Sequence, residues 1–234
     1  MANIDPQHID RFDEISDGKT TSLLTVVQGR FPSEIGRTIV VGCGDGIEAG
    51  RLARFHSCET VGIDLDDSGF NAAASHPAVL KRMDARDLAF SDASFDFVFS
   101  FHAIEHIPQP ERAMAEMGRV LRPGGTYVIG TPNKRRLVGY INSATTLSNK
   151  VRWNINDLKQ RLKGEWSNEA GAHAGFTEEE LRDLCADAFG GTPRSITHDY
   201  YRTLYPGRAL ELVISAGAHR FVYPCIYVAG RKEA

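Results

Sequence analysis

The stretch Thr38-Ile39-Val40-Val41-Gly42-Cys43-Gly44-Asp45-Gly46 decides how the rest of the chain is read. Four β-branched residues in a row suit a short buried strand. The glycines that follow let the backbone turn sharply and approach a ligand with no Cβ in the way. Next comes a helical stretch with Leu52, Ala53 and Phe55 on its apolar face, then a second strand, Thr60–Ile63, that ends at Asp64.

Outward from there, strand and helix alternate. A helix around Ala72–Ala74 leads to a third strand near Val79–Met83, and Ser94–Ser100 reads as a fourth. Arg112–Leu121 is amphipathic, Pro123-Gly124-Gly125 stops it, and Thr126–Gly130 is a fifth strand. This rhythm predicts an α/β fold, a parallel sheet with helices on both faces. Upstream, residues 1–35 read as one or two short helices with Ile9, Phe12, Leu23, Leu24 and Val27 as apolar positions, broken at Pro32. Downstream, 134–172 is a polar insert. Thr177 and Glu180 then form a capping box for a helix that ends near Gly190-Gly191. Ser195–Tyr201 and Val222–Ala229 read as two last strands. The chain is thus expected to be one domain, 1–234: a helical cap (1–35), a ligand-binding core (36–133), a lid (134–172) and the remainder of the sheet (173–234).

Open parallel sheets bind ligands at the carboxyl ends of their strands, where the strand order reverses. The pattern here is G-x-G-x-G. The dinucleotide fingerprint needs a glycine where this chain has Ile47, which disfavours a nicotinamide-dependent oxidoreductase. Asp64 can accept hydrogen bonds from both hydroxyls of a ribose. Asp84, after the third strand, can accept from the exocyclic amine of adenine while the adjacent amide reads a ring nitrogen. Glycines after one strand and acids after the next two describe a nucleoside pocket. Cys43 reads as a small buried residue between two glycines.

The segments VVGCGDG (40–46), VGIDLD (61–66), MDARDLAFSDASFDFVFS (83–100), IEHIPQPERAMAEMGRVLRPGG (104–125) and GTPN (130–133) resemble the class I S-adenosylmethionine-dependent methyltransferases, in particular the small-molecule group called type 11. The resemblance implies a Rossmann-like, doubly wound, mostly parallel seven-stranded sheet with an antiparallel C-terminal strand. It implies S-adenosyl-L-methionine as cofactor and S-adenosyl-L-homocysteine as product. Gly42, Gly44 and Gly46, with Cys43 between them, fall to the methionine end, Asp64 with Leu65 to the ribose, and Asp84 with Ala85 to the adenine. Ser100 and Phe101 fall along the cofactor beneath the methyl group.

A hydroxyl or amine acceptor must lose a proton, and His102, His106 and His173 are the candidate catalytic bases. His102, Glu105 and His106 also stand at i, i+3 and i+4, which on an α-helix is one face. This is similar to the Glu-x-x-Glu-His set that binds a divalent metal in some relatives, with His102 in place of the first Glu. The expectation is nevertheless a site with no metal ligands.

Net charge is −3, from 27 basic and 30 acidic side chains, so nucleic acid is not the expected partner of the whole surface. The insert differs: eight basic residues against three acidic ones make it +5, and both tryptophans lie in it. It suggests an anionic or sugar-linked small-molecule acceptor, a solvated face, or a homodimer contact. No apolar run approaches the roughly 20 residues of a membrane span. The acidic start and four cysteines without CxxC spacing suit a cytoplasmic protein. The expected function is methyl transfer to an O or N atom of a small molecule; RNA methylation and a non-catalytic cofactor-binding role stand as alternatives.

Overall fold

The computed structural model describes residues 6–139, 146–169 and 173–233, with side chains from residue 18 of the first helix onward. The side chains of the expected apolar positions Ile9 and Phe12, and residues 140–145 and 170–172 of the insert, lie outside this description. Helix α1 (Pro6–Arg30) is one element where one or two short helices were expected. It is followed by β1 (Arg37–Val41), α2 (Ile47–His56), β2 (Glu59–Asp64), α3 (Ala72–Ser75), β3 (Val79–Arg82) and β4 (Phe95–Phe101). Then come α4 (Pro110–Val120), β5 (Leu121–Pro132), α5 (Leu147–Lys163), α6 (Glu178–Phe189), β6 (Arg194–Ser195), α7 (Thr197–Leu204), α8 (Arg208–Ser215), α9 (His219–Val222) and β7 (Cys225–Arg231).

The strands form one seven-stranded sheet in the order β3-β2-β1-β4-β5-β7-β6. The first five run parallel, and β7 is antiparallel to both β5 and β6. The two-residue period of the strands splits the core into two layers. Ile39, Val41, Ile63, Val98, Tyr127, Ile129 and Val228 face the side carrying α4 and α6. Val40, Phe97, Phe99, Val128, Tyr227 and Ala229 face the side carrying α1, α2 and α7. The chain leaves β1 toward one edge and returns through β4 on its other side. The switch point is therefore at the carboxyl ends of β1 and β4.

One expected strand is corrected. Of Ser195–Tyr201 only Ser195 is in a strand, and from Thr197 the chain is helical. The Thr197 hydroxyl accepts from the Tyr227 amide (2.9 Å) and donates to the Tyr227 carbonyl (3.2 Å). The Tyr227 carbonyl also accepts from the Ile196 amide (3.0 Å), so the side chain takes the place of a strand carbonyl at the Tyr227 amide and the ladder stops there. Tyr200 and Tyr201 then bury themselves against the sheet from the helix.

Candidate active site

Gly42 (φ 73°) and Gly44 (φ 53°) both lie in the left-handed region that side chains rarely adopt. Gly42 is also pressed against the chain beyond β4: a Cβ on it would stand 2.1 Å from that of Ala103. A Cβ on Gly44 would meet nothing within 4 Å, because it would project into an open cleft. The Gly44 amide donates to Asp64 Oδ2 (2.8 Å), which ties the glycine turn to the tip of β2. The other oxygen, Oδ1, accepts from the Asp66 amide at 3.2 Å.

The cleft has a volume of about 410 Å³, and Gly42, Gly44, Asp64, Leu65, Asp84 and Ala85 line it. The structure thus brings together six of the ten residues expected at a cofactor. It does not bring the other four to the cleft wall. Cys43 points into the core, where burial pushes its thiol up to about 12. Gly46 is closed over by Leu80 and Ser75, and the Ser100 hydroxyl donates to the Val41 carbonyl. Phe101 lines the neighbouring cavity, stacked on Tyr227.

Asp84 is gripped by Arg86 through Nε and Nη2 at 2.7–3.2 Å. That hydrogen bonding and the Arg86 amide hold its carboxyl down to about 2, so it is an ionised acceptor at any physiological pH. The loop behind it is clamped to α4. Arg119 donates to the carbonyls of Leu88 and Phe90, and Glu116 accepts from the Leu88 amide.

A second cavity, of about 520 Å³, opens beside the first. Its walls include Phe99, Phe101, Tyr200, Tyr201, Tyr205 and Tyr227, with Lys19, Glu48 and Arg136 as polar members. His102 and His106 line both cavities. His173 lines the second, its ring 4.4 Å from that of His106. The three histidines expected to carry chemistry therefore meet at the junction of the two spaces.

They do not share a helical face, which corrects the i, i+3, i+4 expectation. The His102 amide still bonds the Gly130 carbonyl (3.0 Å), so this residue belongs to the end of the β4–β5 ladder. Its φ is 53°, and only Ile104–His106 form a single turn of 3-10 helix. Glu105 sits between the rings, 1% exposed, 3.3 Å from His102 Nδ1 and 3.8 Å from His106 Nε2, and it accepts from Thr131. Among the described residues no group of three or more His, Cys, Asp or Glu is arranged to hold a metal ion.

Charge sorts the histidines. Burial pulls His102 down, but the Cys225 sulfur 3.4 Å from Nε2 and the Glu105 carboxylate outweigh it and hold the ring well above the ordinary histidine value. His173 moves the other way: burial and then the neighbouring His106 lower it. His102 thus holds a proton more readily than a free histidine, and His173 less readily.

The sequence reading missed Cys225 and the tyrosine wall. The signal was present: five of the seven tyrosines lie between residues 200 and 227. It missed as well where the basic residues of the insert go. Lys134 pairs with Glu180, Arg135 with Glu179 and Arg136 with Asp157, while Arg161 donates to the carbonyls of Lys134 and Arg136 and lies over Trp166.

A glycine turn at the switch point of this strand order, with acids at the next two strand tips, defines the Rossmann-like fold of the class I methyltransferases. Residues 39–129 match the family model described as a methyltransferase domain. Over residues 39–129 the chain is thus similar to the methyltransferases. It is 32% identical over 120 residues to 27-O-demethylrifamycin SV methyltransferase of Amycolatopsis mediterranei, covering 47% of this chain and 44% of that protein. It is 35% identical over 102 residues to phosphatidylethanolamine N-methyltransferase of Cereibacter sphaeroides, covering 40% and 49%. The chain thus spans about half the length of these two curated relatives. The fold is similar to that of a solved S-adenosylmethionine-dependent methyltransferase of Thermotoga maritima, described as a possible histamine N-methyltransferase. The TM-score is 0.56 at 19% identity, over 97% of this chain and 95% of that one.

Proposed function

We propose that this chain transfers a methyl group from S-adenosyl-L-methionine to an oxygen or nitrogen of a small molecule held in the aromatic-walled cavity. One observation carries the reading: His102 and His106 line both cavities, so a ligand in each would meet between them. The glycine turn and Asp64 would hold the methionine and ribose parts, and the ionised Asp84 with Ala85 the adenine. When bound, the cofactor supplies an already activated methyl on a sulfonium. The protein's part is then placement, which in favourable cases lowers a barrier by roughly 7–11 kcal/mol. His173, kept neutral, takes the acceptor's proton. His102, held through one ring nitrogen by Glu105 and through the other by Cys225, is fixed as part of the junction's wall.

The chemistry of the cavity favours an acceptor with a flat, apolar body. The insert's cations argue less for an anionic one, since Lys134, Arg135, Arg136 and Arg161 are engaged within the protein. The same engagement argues against RNA. The names of the two curated relatives, one an O- and one an N-methyltransferase, support both acceptor atoms.

Calorimetric titration with S-adenosylhomocysteine and with NAD tests the cofactor. Only the first should bind, and Asp64→Ala should weaken it about 5–150-fold, the scale of a lost charged hydrogen bond of about 1–3 kcal/mol. Unchanged affinity would remove Asp64 from the pocket. Mass-spectrometric screening of phenols and aromatic amines for gain of a methyl group tests the acceptor. Turnover of none of them, with cofactor bound, would leave a non-catalytic binding protein.

A further inference from the structure

Helix α5 is mounted inside out. Its polar side holds it to the protein: Asn154 exchanges bonds with the Gly139 amide and carbonyl, Asp157 pairs with Arg136, and Arg161 reaches two backbone carbonyls. Its aliphatic side faces outward. Leu147, Val151, Ile155, Leu158 and Leu162 are 48–80% exposed. At ~100° per residue they fall within an arc of about 80°. A soluble helix ordinarily turns such a stripe inward, and exposed aliphatic patches of this kind mark interaction surfaces.

The charges say what covers it. Arg152, Lys159 and Lys163 flank one side of the stripe, and Lys150 lies on the other, where Arg161 is turned inward to backbone carbonyls. Asp157 is the one acid of the helix, and it is buried against Arg136. A second copy laid along this stripe would bring cations against cations. The five side chains of the stripe are all aliphatic, with no aromatic anchor among them. An apolar stripe edged by a row of cations fits a fluid interface that is apolar inside and anionic at its surface. Exposed Leu137 and Val138 adjoin the helix through the Gly139–Asn154 bonds, and Leu137 is tied to Phe221, itself half exposed, through its carbonyl.

We propose that α5 is a peripheral membrane-docking element that seats this face of the protein on anionic phospholipid. No described helix is long and apolar enough to cross a membrane, so the docking is by lying on the surface. It is independent of the methyl-transfer reading, and its test needs no turnover.

The test is flotation of the whole protein with vesicles of phosphatidylcholine alone and of an equimolar mixture with phosphatidylglycerol, at low and high salt. Binding to the mixed vesicles alone, weakened by salt, is expected. Leu158→Glu with Leu162→Glu should abolish it. Lys159→Gln with Lys163→Gln should weaken it about 25-fold, roughly fivefold for each cation. These side chains are solvent-exposed, and an unchanged thermal melting curve establishes that each variant is folded. Failure to float with the mixed vesicles at low salt would overturn the proposal, as would full binding by the folded Leu158→Glu, Leu162→Glu protein. A dimer in sedimentation that Leu162→Glu dissociates, without flotation, would assign the stripe to a second copy instead.

Discussion

Sγ of Cys225 lies 3.4 Å from Nε2 of His102, and the opposite nitrogen of the same ring faces Glu105 Oε1 at 3.3 Å. A thiol, an imidazole and a buried carboxylate thus stand in line on the wall of the larger cavity. Cys225 is half-buried on that wall, where a reagent can reach it, and a ring nitrogen within hydrogen-bond reach can assist a thiol as it reacts. Cys43 and Cys185 are buried, and burial pushes both thiols up. Brief treatment with iodoacetamide followed by peptide mapping should find Cys225 modified first. His102→Phe should slow that reaction several-fold. Equal labelling of Cys58 and Cys225, or no effect of His102→Phe, would dissolve the grouping into a chance contact.

His173 gives a pH dependence of definite sign. Burial and the neighbouring His106 shift it below the ordinary histidine value, so its neutral form persists to lower pH than that of a free histidine. If it is the base, kcat/KM should stay level through neutrality and fall on the acid side with an apparent pKa below about 6.5. His173→Ala should lower kcat about 10²–10⁴-fold, leave S-adenosylhomocysteine affinity unchanged and remove the acid limb. A variant that keeps both turnover and limb would pass the role to His106 or to water.

The sequence and the structure agree where local backbone chemistry dictates the outcome. The glycine turn after β1, the acid closing β2 and the Thr177–Glu180 capping box were legible because each is set by a few adjacent residues. The histidine junction was half legible. The three residues could be named, but the 4.4 Å contact of His173 with His106 spans 67 positions and is made by the fold. Reading His102-Ala103-Ile104-Glu105-His106 as a helix failed because spacing cannot reveal that the His102 amide is still bonded to Gly130 in the sheet. The Ser195–Tyr201 strand failed for a related reason: after the Ile196 amide makes the last backbone bond, a threonine side chain takes the Tyr227 amide and the ladder stops.

Away from the site, Gly118 decides how closely two helices approach. A Cβ there would lie 2.1 Å from the Ala188 carbonyl oxygen, so α4 and α6 meet backbone to side. Neither partner is the end of a flexible side chain, and the helices must separate to admit a methyl group. Gly118→Ala should destabilise the fold by about 2–3 kcal/mol, the usual scale of overpacking. In a protein of this size that lowers Tm by roughly 5–10 °C. A calorimetric Tm within a degree of the parent would mean that α6 shifts at no cost.

His56, at the end of α2, should make the fold sensitive to acid. Its ring rests against Phe55 and Phe97, its Nε2 has no hydrogen-bond partner, and burial lowers its pKa from 6.5 to about 4. Between those values the unfolded chain binds a proton that the folded protein refuses. By linkage, stability from this residue is complete above about pH 6.5, erodes as pH falls toward 4, and is level below that. The full loss is about 3 kcal/mol, from about 1.4 kcal/mol for each pH unit of difference. Urea melts of the parent and of His56→Leu at pH 7 and pH 5 separate this residue from the carboxylates. The parent should lose more stability between the two than the variant does. Parallel losses would mean that the His56 ring takes up its proton in the folded state as readily as in the unfolded chain, and the acid sensitivity would then belong to the ion-paired acids.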